Sequence, residues 1–142
     1  MVVSSKGRYA LRVMVELAAA PAGEYLPLAG ISGRQGISEK YLEAIFAPLA
    51  KAGYVEGQRG KNGGYRLTKP ARDYTVGDIL RLTEKTLAPV ACMAAGAPAC
   101  ERAGSCPTRA LWQGLDACIA GYLDGVTLQD LAEGKLPPAA GG

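Results

Sequence analysis

Residues 37–53 decide the fold, and they read ISEKYLEAIFAPLAKAG. Ser38 is a favoured N-cap residue, and Lys51 with Gly53 suits a helix C-terminus, so the stretch predicts one helix. Its apolar side chains recur at helical spacing on one face: Leu42, Ile45, Phe46 and Leu49. Pro48 is expected to distort the preceding turn or to end the helix early, because proline removes a backbone donor.

A shorter helix is predicted immediately upstream, over about residues 28–35. Pro27 suits its first turn and Gly36 its end. Before it, residues 5–20 predict an amphipathic helix, and residues 25–26 could form a short strand. A short helix, a tight turn and a second helix together indicate a helix-turn-helix, whose second helix reads the major groove of DNA.

Residues 54–69 read YVEGQRGKNGGYRLTK, and in them the helical spacing of apolar side chains gives way to a strand-like pattern. Strand-forming side chains occupy both arms, and Asn62-Gly63 with its flanking glycines favours a hairpin. The tip carries Arg59 and Lys61, and so slender a ribbon can enter the minor groove of DNA, although both cations could also be ordinary solvated charges. The predicted fold class is therefore mainly α with a small β wing, a winged helix-turn-helix.

The sequence predicts five segments. Residues 1–70 are the DNA-binding module, and residues 71–87, which include a capping-box pattern, are a connecting helix. Residues 88–106 form a long loop rich in alanine, glycine and proline that contains cysteines, and a loop of such length usually has a function. Residues 107–135 hold a long helix and a short one, and residues 136–142 are expected to be a flexible tail.

The long C-terminal helix has an apolar face wider than a helix at the surface of a small domain needs. That face comprises Leu111, Trp112, Leu115, Cys118, Ile119 and Tyr122. A partner helix across a two-fold axis would cover it, so we expect a dimerisation helix and a homodimer.

Charge and composition limit the function further. The net charge is +3, but residues 1–70 hold ten Lys and Arg against five Asp and Glu, whereas residues 71–142 hold six against eight. The basic excess lies where a polyanion would bind. The chain has no histidine, which excludes Ser-His and Cys-His catalysis, and it lacks a phosphate-binding loop, so we do not expect an enzyme. Neither a signal peptide nor a membrane span is evident, which predicts a cytoplasmic protein.

Four stretches resemble one family of bacterial regulators. They read SKGRYA at 5–10, ISEKYLE at 37–43, RGKNGGY at 59–65 and ALW at 110–112. Over about residues 1–135 the chain is similar to the Rrf2 family of repressors, and within it to regulators that hold an iron-sulfur cluster. The resemblance implies a dimeric winged helix that binds double-stranded operator DNA. It places at DNA-facing positions Ser38, Lys40, Tyr41, Glu43, Arg59, Gly60 and Lys61.

Two of these DNA-facing positions have chemistry that needs comment. Glu43 repels phosphate, yet its carboxylate can accept a hydrogen bond from a cytosine amino group in the major groove. We therefore expect it to contribute to sequence selectivity rather than to affinity. Tyr41 could instead cap the hydrophobic core.

The resemblance also implies an iron-sulfur cluster, 2Fe-2S or 4Fe-4S, held by Cys92, Cys100 and Cys106. A flexible loop can gather three thiolates although their spacing is not that of a zinc knuckle. Such a cluster can be absent from protein prepared in air. Cys118 lies about 18 Å beyond Cys106 along a helix, too far to join it in the same chain, and is expected to be a small buried residue.

The fourth cluster ligand is open. Arg109 stands where related regulators have a histidine, and Arg8 where another branch has an aspartate, and arginine is a very poor iron ligand. Water, a small thiol or a carboxylate such as Glu101 could complete the site. A reversible disulfide without a cluster, a small-molecule sensor, or a winged-helix protein without a sensor are the alternatives.

Overall fold

The structure, a computed structural model, describes residues 2–98, 100–102 and 104–139. Within these residues the helices are α1 Ser5–Ala19, α2 Leu28–Gln35, α3 Glu39–Lys51, α4 Val76–Thr83, α5 Arg109–Asp124 and α6 Leu128–Glu133. The strands are β1 Val55–Gln58 and β2 Gly64–Leu67, and short 3-10 turns cover Ala71–Asp73 and Ala91–Met93. The predicted fold class, mainly helical with a two-stranded wing, is confirmed.

Helix α1 lies at the centre of the molecule and packs against α2, α3, α4, α6 and β2. Ser4 caps its N-terminus by accepting a hydrogen bond from the Gly7 backbone N–H at 3.0 Å. Its inner face is fully buried at three positions, Ala10, Val13 and Met14. The C-terminal helix α6 adds Leu128 to the same core, so the end of the chain returns to the DNA-binding module.

Helices α2 and α3 form the predicted helix-turn-helix. Gly36 ends α2 with φ of 68°, a left-handed conformation that glycine adopts without strain. The predicted early end of the helix at Pro48 is wrong, because α3 continues past it to Lys51. The continued helix buries Leu49 completely, which favours it. The backbone hydrogen bond that proline removes would have ended on the carbonyl of Ala44, an exposed residue whose carbonyl water can reach.

The wing is an antiparallel ribbon in which Val55 pairs with Leu67 and Gln58 with Gly64. The predicted strand at residues 25–26 is reduced to a single bridge, in which Leu26 and Tyr65 exchange backbone hydrogen bonds of 2.9 and 3.0 Å. A side chain at Gly64 would put its Cβ 2.0 Å from the Leu26 carbonyl oxygen. Only glycine therefore permits this bridge, which ties the wing to the start of α2.

Helix α5 is the most exposed long element of the fold, and none of its residues is fully buried within the chain. Leu111, Leu115 and Tyr122 are 60%, 40% and 36% exposed. Cys118 is also exposed in the single chain, so the prediction that it is buried is wrong at this level. The reason is that no part of the chain that the structure describes packs over this surface of α5.

The capping box at the start of α4 is present, with Thr75 and Asp78 each accepting a backbone hydrogen bond from the other residue. Residues 140–142 of the predicted tail lie outside the described residues. Among the helices described, none is both long and apolar enough to cross a membrane.

Candidate nucleic-acid interface and cysteine loop

The first turn of α3 presents an exposed polar surface. Ser38 caps the helix by accepting a hydrogen bond from the Tyr41 backbone N–H at 3.1 Å. Lys40 and Glu43 are exposed, while Tyr41 is half-buried and contacts Tyr9 edge-on with ring centroids 5.9 Å apart. The structure thus gives Tyr41 a packing role against α1.

The wing tip presents two cations to solvent. Its turn is closed by a 3.0 Å hydrogen bond from the Gly63 N–H to the Gly60 carbonyl, which places Lys61 at its apex. Arg59 and Lys61 are exposed, and neither forms an ion pair with any residue that the structure describes. Unpaired cations on a narrow ribbon are suited to phosphate or to the minor groove of DNA.

The other arginine of the wing, Arg66, is engaged at the base of the ribbon. Arg66 donates to Glu56 at 2.5 Å and to the Gly23 carbonyl at 2.9 Å, and its guanidinium stacks on Tyr25 at 4.3 Å. Arg66 therefore anchors the ribbon, and the positive charge free for a ligand is concentrated at the tip.

Aromatic stacking fixes the wing relative to α3. The rings of Phe46 and Tyr65 are nearly parallel, at 6°, with centroids 4.1 Å apart. Behind them the buried Tyr74 hydroxyl donates to the Tyr54 carbonyl at 2.6 Å and accepts from the Thr68 N–H at 3.0 Å. The wing and α3 therefore form one preorganised surface.

A groove of about 720 Å³ runs between α3 and the wing. It brings together three of the predicted DNA-facing residues, Glu43, Arg59 and Gly60. The other four lie outside its lining: Ser38, Lys40, Tyr41 and Lys61. Sequence reasoning missed Glu39 and Gln58, which also line it, because their place in the groove depends on how α3 packs against the wing.

The three cysteines of residues 88–106 lie in an irregular segment between α4 and α5. Cys92 sits in the 3-10 turn and is exposed, Cys100 is exposed, and Cys106 is half-buried just before α5. A hydrogen bond from the Thr108 hydroxyl, 3.4 Å from the sulfur, lowers the pKa of the Cys106 thiol. This thiol is therefore biased toward the thiolate form that binds metals and reacts with oxidants.

The donor set fits an iron-sulfur cluster in its chemistry but is not assembled. Three accessible thiols share one segment, and none of them is held in the hydrophobic core. In the part of the chain described, no three Cys, Asp or Glu side chains converge on a metal position. The segment would therefore have to close around the group, with a fourth ligand other than Arg109.

Helix α4, which precedes the cysteine segment, is tied both to α5 and to the start of α1. Arg81 and Asp124 form a bidentate pair at 2.7 and 3.0 Å between α4 and α5, and it lowers the pKa of the Asp124 carboxyl. Glu84, at the end of α4, accepts hydrogen bonds from the Ser4 backbone N–H and hydroxyl, the latter at 2.7 Å. A change in the segment can thus reach the start of α1 through Glu84, while Asp124 holds the far end of α5 against α4.

Comparison with known proteins finds a family match over nearly the whole chain. The sequence model of Rrf2, described as an iron-dependent transcriptional regulator, matches residues 3–134. The chain is 40% identical over 131 residues to IscR of Photobacterium profundum, an HTH-type transcriptional regulator. That match covers 92% of this chain and 75% of the relative.

Solved structures give the same result for the fold. The chain resembles CymR, described as the global cysteine regulator of B. subtilis, with a TM-score of 0.79, 35% identity and coverage of 94% of this chain and 97% of CymR. It resembles IscR of T. potens with a TM-score of 0.75, 35% identity and coverage of 94% and 88%. These relatives are regulators and not enzymes, which confirms the prediction that this chain is not an enzyme.

Proposed function

The chain belongs to the Rrf2 family of transcriptional regulators, and from that premise we propose that it is a homodimeric repressor whose affinity for operator DNA depends on an iron-sulfur cluster held by Cys92, Cys100 and Cys106. The observation that carries the DNA-binding part is the groove between α3 and the wing, with unpaired Arg59 at its edge. As a regulator of bacterial promoters, the protein is expected to act in the cytoplasm.

On DNA, α3 and the wing would have different tasks. The exposed N-terminal half of α3 would enter the major groove, where Glu43 can test for a cytosine amino group. Ser38, Lys40 and Tyr41 would contact the backbone at its edge. Arg59, Gly60 and Lys61 would enter or straddle the neighbouring minor groove, because the glycine turn keeps the ribbon narrow.

Replacing Arg59 by alanine is expected to weaken operator binding while leaving the dimer intact. The loss should be about tenfold, the value of one groove contact, and the slope of log affinity against log salt should fall by about one. Titration of labelled operator at several salt concentrations measures both. Arg72→Ala, an exposed arginine outside the groove, is the matched control, and equal behaviour of the two variants would contradict a groove role.

Replacing Glu43 by alanine is expected to widen the set of sites that the protein binds, at equal or higher affinity. The carboxylate disfavours DNA sequences that offer it no hydrogen-bond donor. Its removal should therefore admit more sequences and lower the repulsion between the protein and phosphate. Selection of binding sites from random DNA compares the variant with native protein and with Glu133→Ala in α6. A narrowed or unchanged preference would rule out this role.

Regulation would operate through the cysteine segment. Its thiolates would hold the cluster, which when bound supplies a group that changes or dissociates with iron, oxygen or redox state. The segment joins α4 to α5, so gathering three of its residues would order it and shift the spacing of the two α3 helices in a dimer. Glu84, which ties the start of the segment to Ser4 at the N-terminus of α1, would transmit the change.

Anaerobic purification, an absorption spectrum and assays of iron and sulfide test the cluster. We expect a coloured protein with matching amounts of iron and acid-labile sulfide. A colourless protein whose DNA affinity changes with thiol oxidation would instead support the second candidate, a disulfide sensor. The lowered pKa of Cys106 favours that candidate.

A further inference from the structure

A second cleft, distinct from the DNA-facing groove, lies between the end of α4, the residues that follow it and one side of α5. Its volume is about 290 Å³, close to the lower end of the range for small-molecule sites. Met93 and Ala95 of the cysteine segment close it on one side, and Asp116 of α5 on the other. The cleft therefore touches both the sensor segment and the helix that we propose for dimerisation.

Two charged groups at the cleft already have partners. Arg81 is held by both oxygens of Asp124. Glu84 accepts from the Ser4 backbone N–H and from the Ser4 hydroxyl. These side chains shape the walls of the cleft, and their charges are compensated within the fold.

Two other charged groups in the lining have no such partner. Among the residues described, neither Lys85 nor Asp116 forms an ion pair or a side-chain hydrogen bond. They carry opposite charges and belong to different elements, Lys85 to the segment after α4 and Asp116 to α5. A ligand that complements both must carry a carboxylate and an ammonium group at once.

Besides the charged residues and Thr86, the wall of the cleft is an apolar surface. It is lined by the half-buried side chains of Leu87, Met93, Ile119 and Ala120. We propose that this cleft binds a free α-amino acid with an aliphatic or thioether side chain. The carboxylate of the amino acid pairs with Lys85, its ammonium group pairs with Asp116, and its side chain covers the apolar surface.

Binding there would regulate the protein independently of a cluster. The ligand bridges the segment after α4 to α5 and packs on Met93, which directly follows Cys92. Occupancy therefore orders the same segment that contains the cysteines. The inference goes beyond the proposed function and does not rest on it, because none of the three proposed cluster ligands lines the cleft.

The test uses the full-length protein, freed of metal and without DNA. Thermal unfolding and titration calorimetry are carried out with leucine and methionine as probes, and with 4-methylpentanoate and 3-methylbutylamine, which each keep one of the two charged groups of leucine. We expect the amino acids to raise the melting temperature in a concentration-dependent way. Each single-charge analogue should bind at least about tenfold more weakly, because it leaves Lys85 or Asp116 unpaired.

Charge-neutralising variants locate the site. Lys85→Met and Asp116→Asn should each weaken amino acid binding about tenfold or more, while Lys135→Met and Glu133→Gln in the α6 region should not. The melting temperature of each variant without ligand shows whether it is folded. The proposal would be overturned if neither leucine nor methionine stabilised the protein at about 100 mM, which is about 100 times a dissociation constant of about 1 mM. Equal amino acid binding by the two cleft variants and the two control variants would also overturn it.

Discussion

Replacing any one of Cys92, Cys100 and Cys106 by alanine is expected to abolish the visible absorption of anaerobically purified protein. The same change should remove the difference in DNA affinity between protein with and without its cluster. The three thiols share one irregular segment, and none of its described residues is buried. Such a segment gains little order from burial, so a bound group would be its main source of order, and the loss of one ligand should act like the loss of all.

Cys118→Ala is the matched control for these variants. Cys118 lies in α5, far along the helix from Cys106, and is exposed on the face proposed for the dimer. Its replacement should spare both the absorption and the response, and cost at most some dimer stability. If colour and response survive the loss of Cys92, Cys100 or Cys106, or depend on Cys118, the assignment of three cluster ligands is wrong.

Replacing Leu115 by aspartate is expected to convert the dimer to monomers and to lower operator affinity about a hundredfold or more. Leu111, Leu115, Cys118 and Tyr122 form one stripe on α5, directed away from the face that meets α4. An unpaired carboxylate buried in an apolar interface costs several kcal/mol. A monomer also loses the gain from binding two linked half-sites, which is typically a hundredfold or greater.

Sedimentation and operator titration, carried out on the same preparations, measure this effect. Leu111→Asp, at the more exposed end of the stripe, should behave like Leu115→Asp. Gln113→Asp adds the same charge to α5 off the stripe and should leave the protein dimeric. A Leu115→Asp protein that remains dimeric would show that α5 is not the dimer interface.

Local signals in the sequence were sufficient for most of the fold. Pro27 and Gly36 marked both ends of α2, and Ser38 marked the start of α3, because caps and turns depend on neighbouring residues. The continuation of α3 past Pro48 could not be seen in this way. It depends on the burial of Leu49 in a core assembled from distant parts of the chain.

The candidate site was only partly predictable. Arg59 and Glu43 could be named from the wing and the helix face, but that they share a groove with Gln58 follows from the packing of Phe46 on Tyr65. The role of Arg66 as an anchor depends on partners far away in sequence, at Gly23 and Tyr25. Likewise, the exposure of Cys118 reflects a surface whose proposed cover belongs to a second chain.

Footprinting of the protein on a site selected from random DNA, with and without its cluster and at one salt concentration, tests the central claim most directly. We predict protection of two symmetry-related half-sites whose centres are separated by about 34 Å or a multiple of it. The protection should resist nonspecific competitor DNA, and the affinity should differ between the two forms of the protein. Protection without two-fold symmetry, lost on addition of competitor and the same for both forms, would contradict a sequence-specific dimeric sensor.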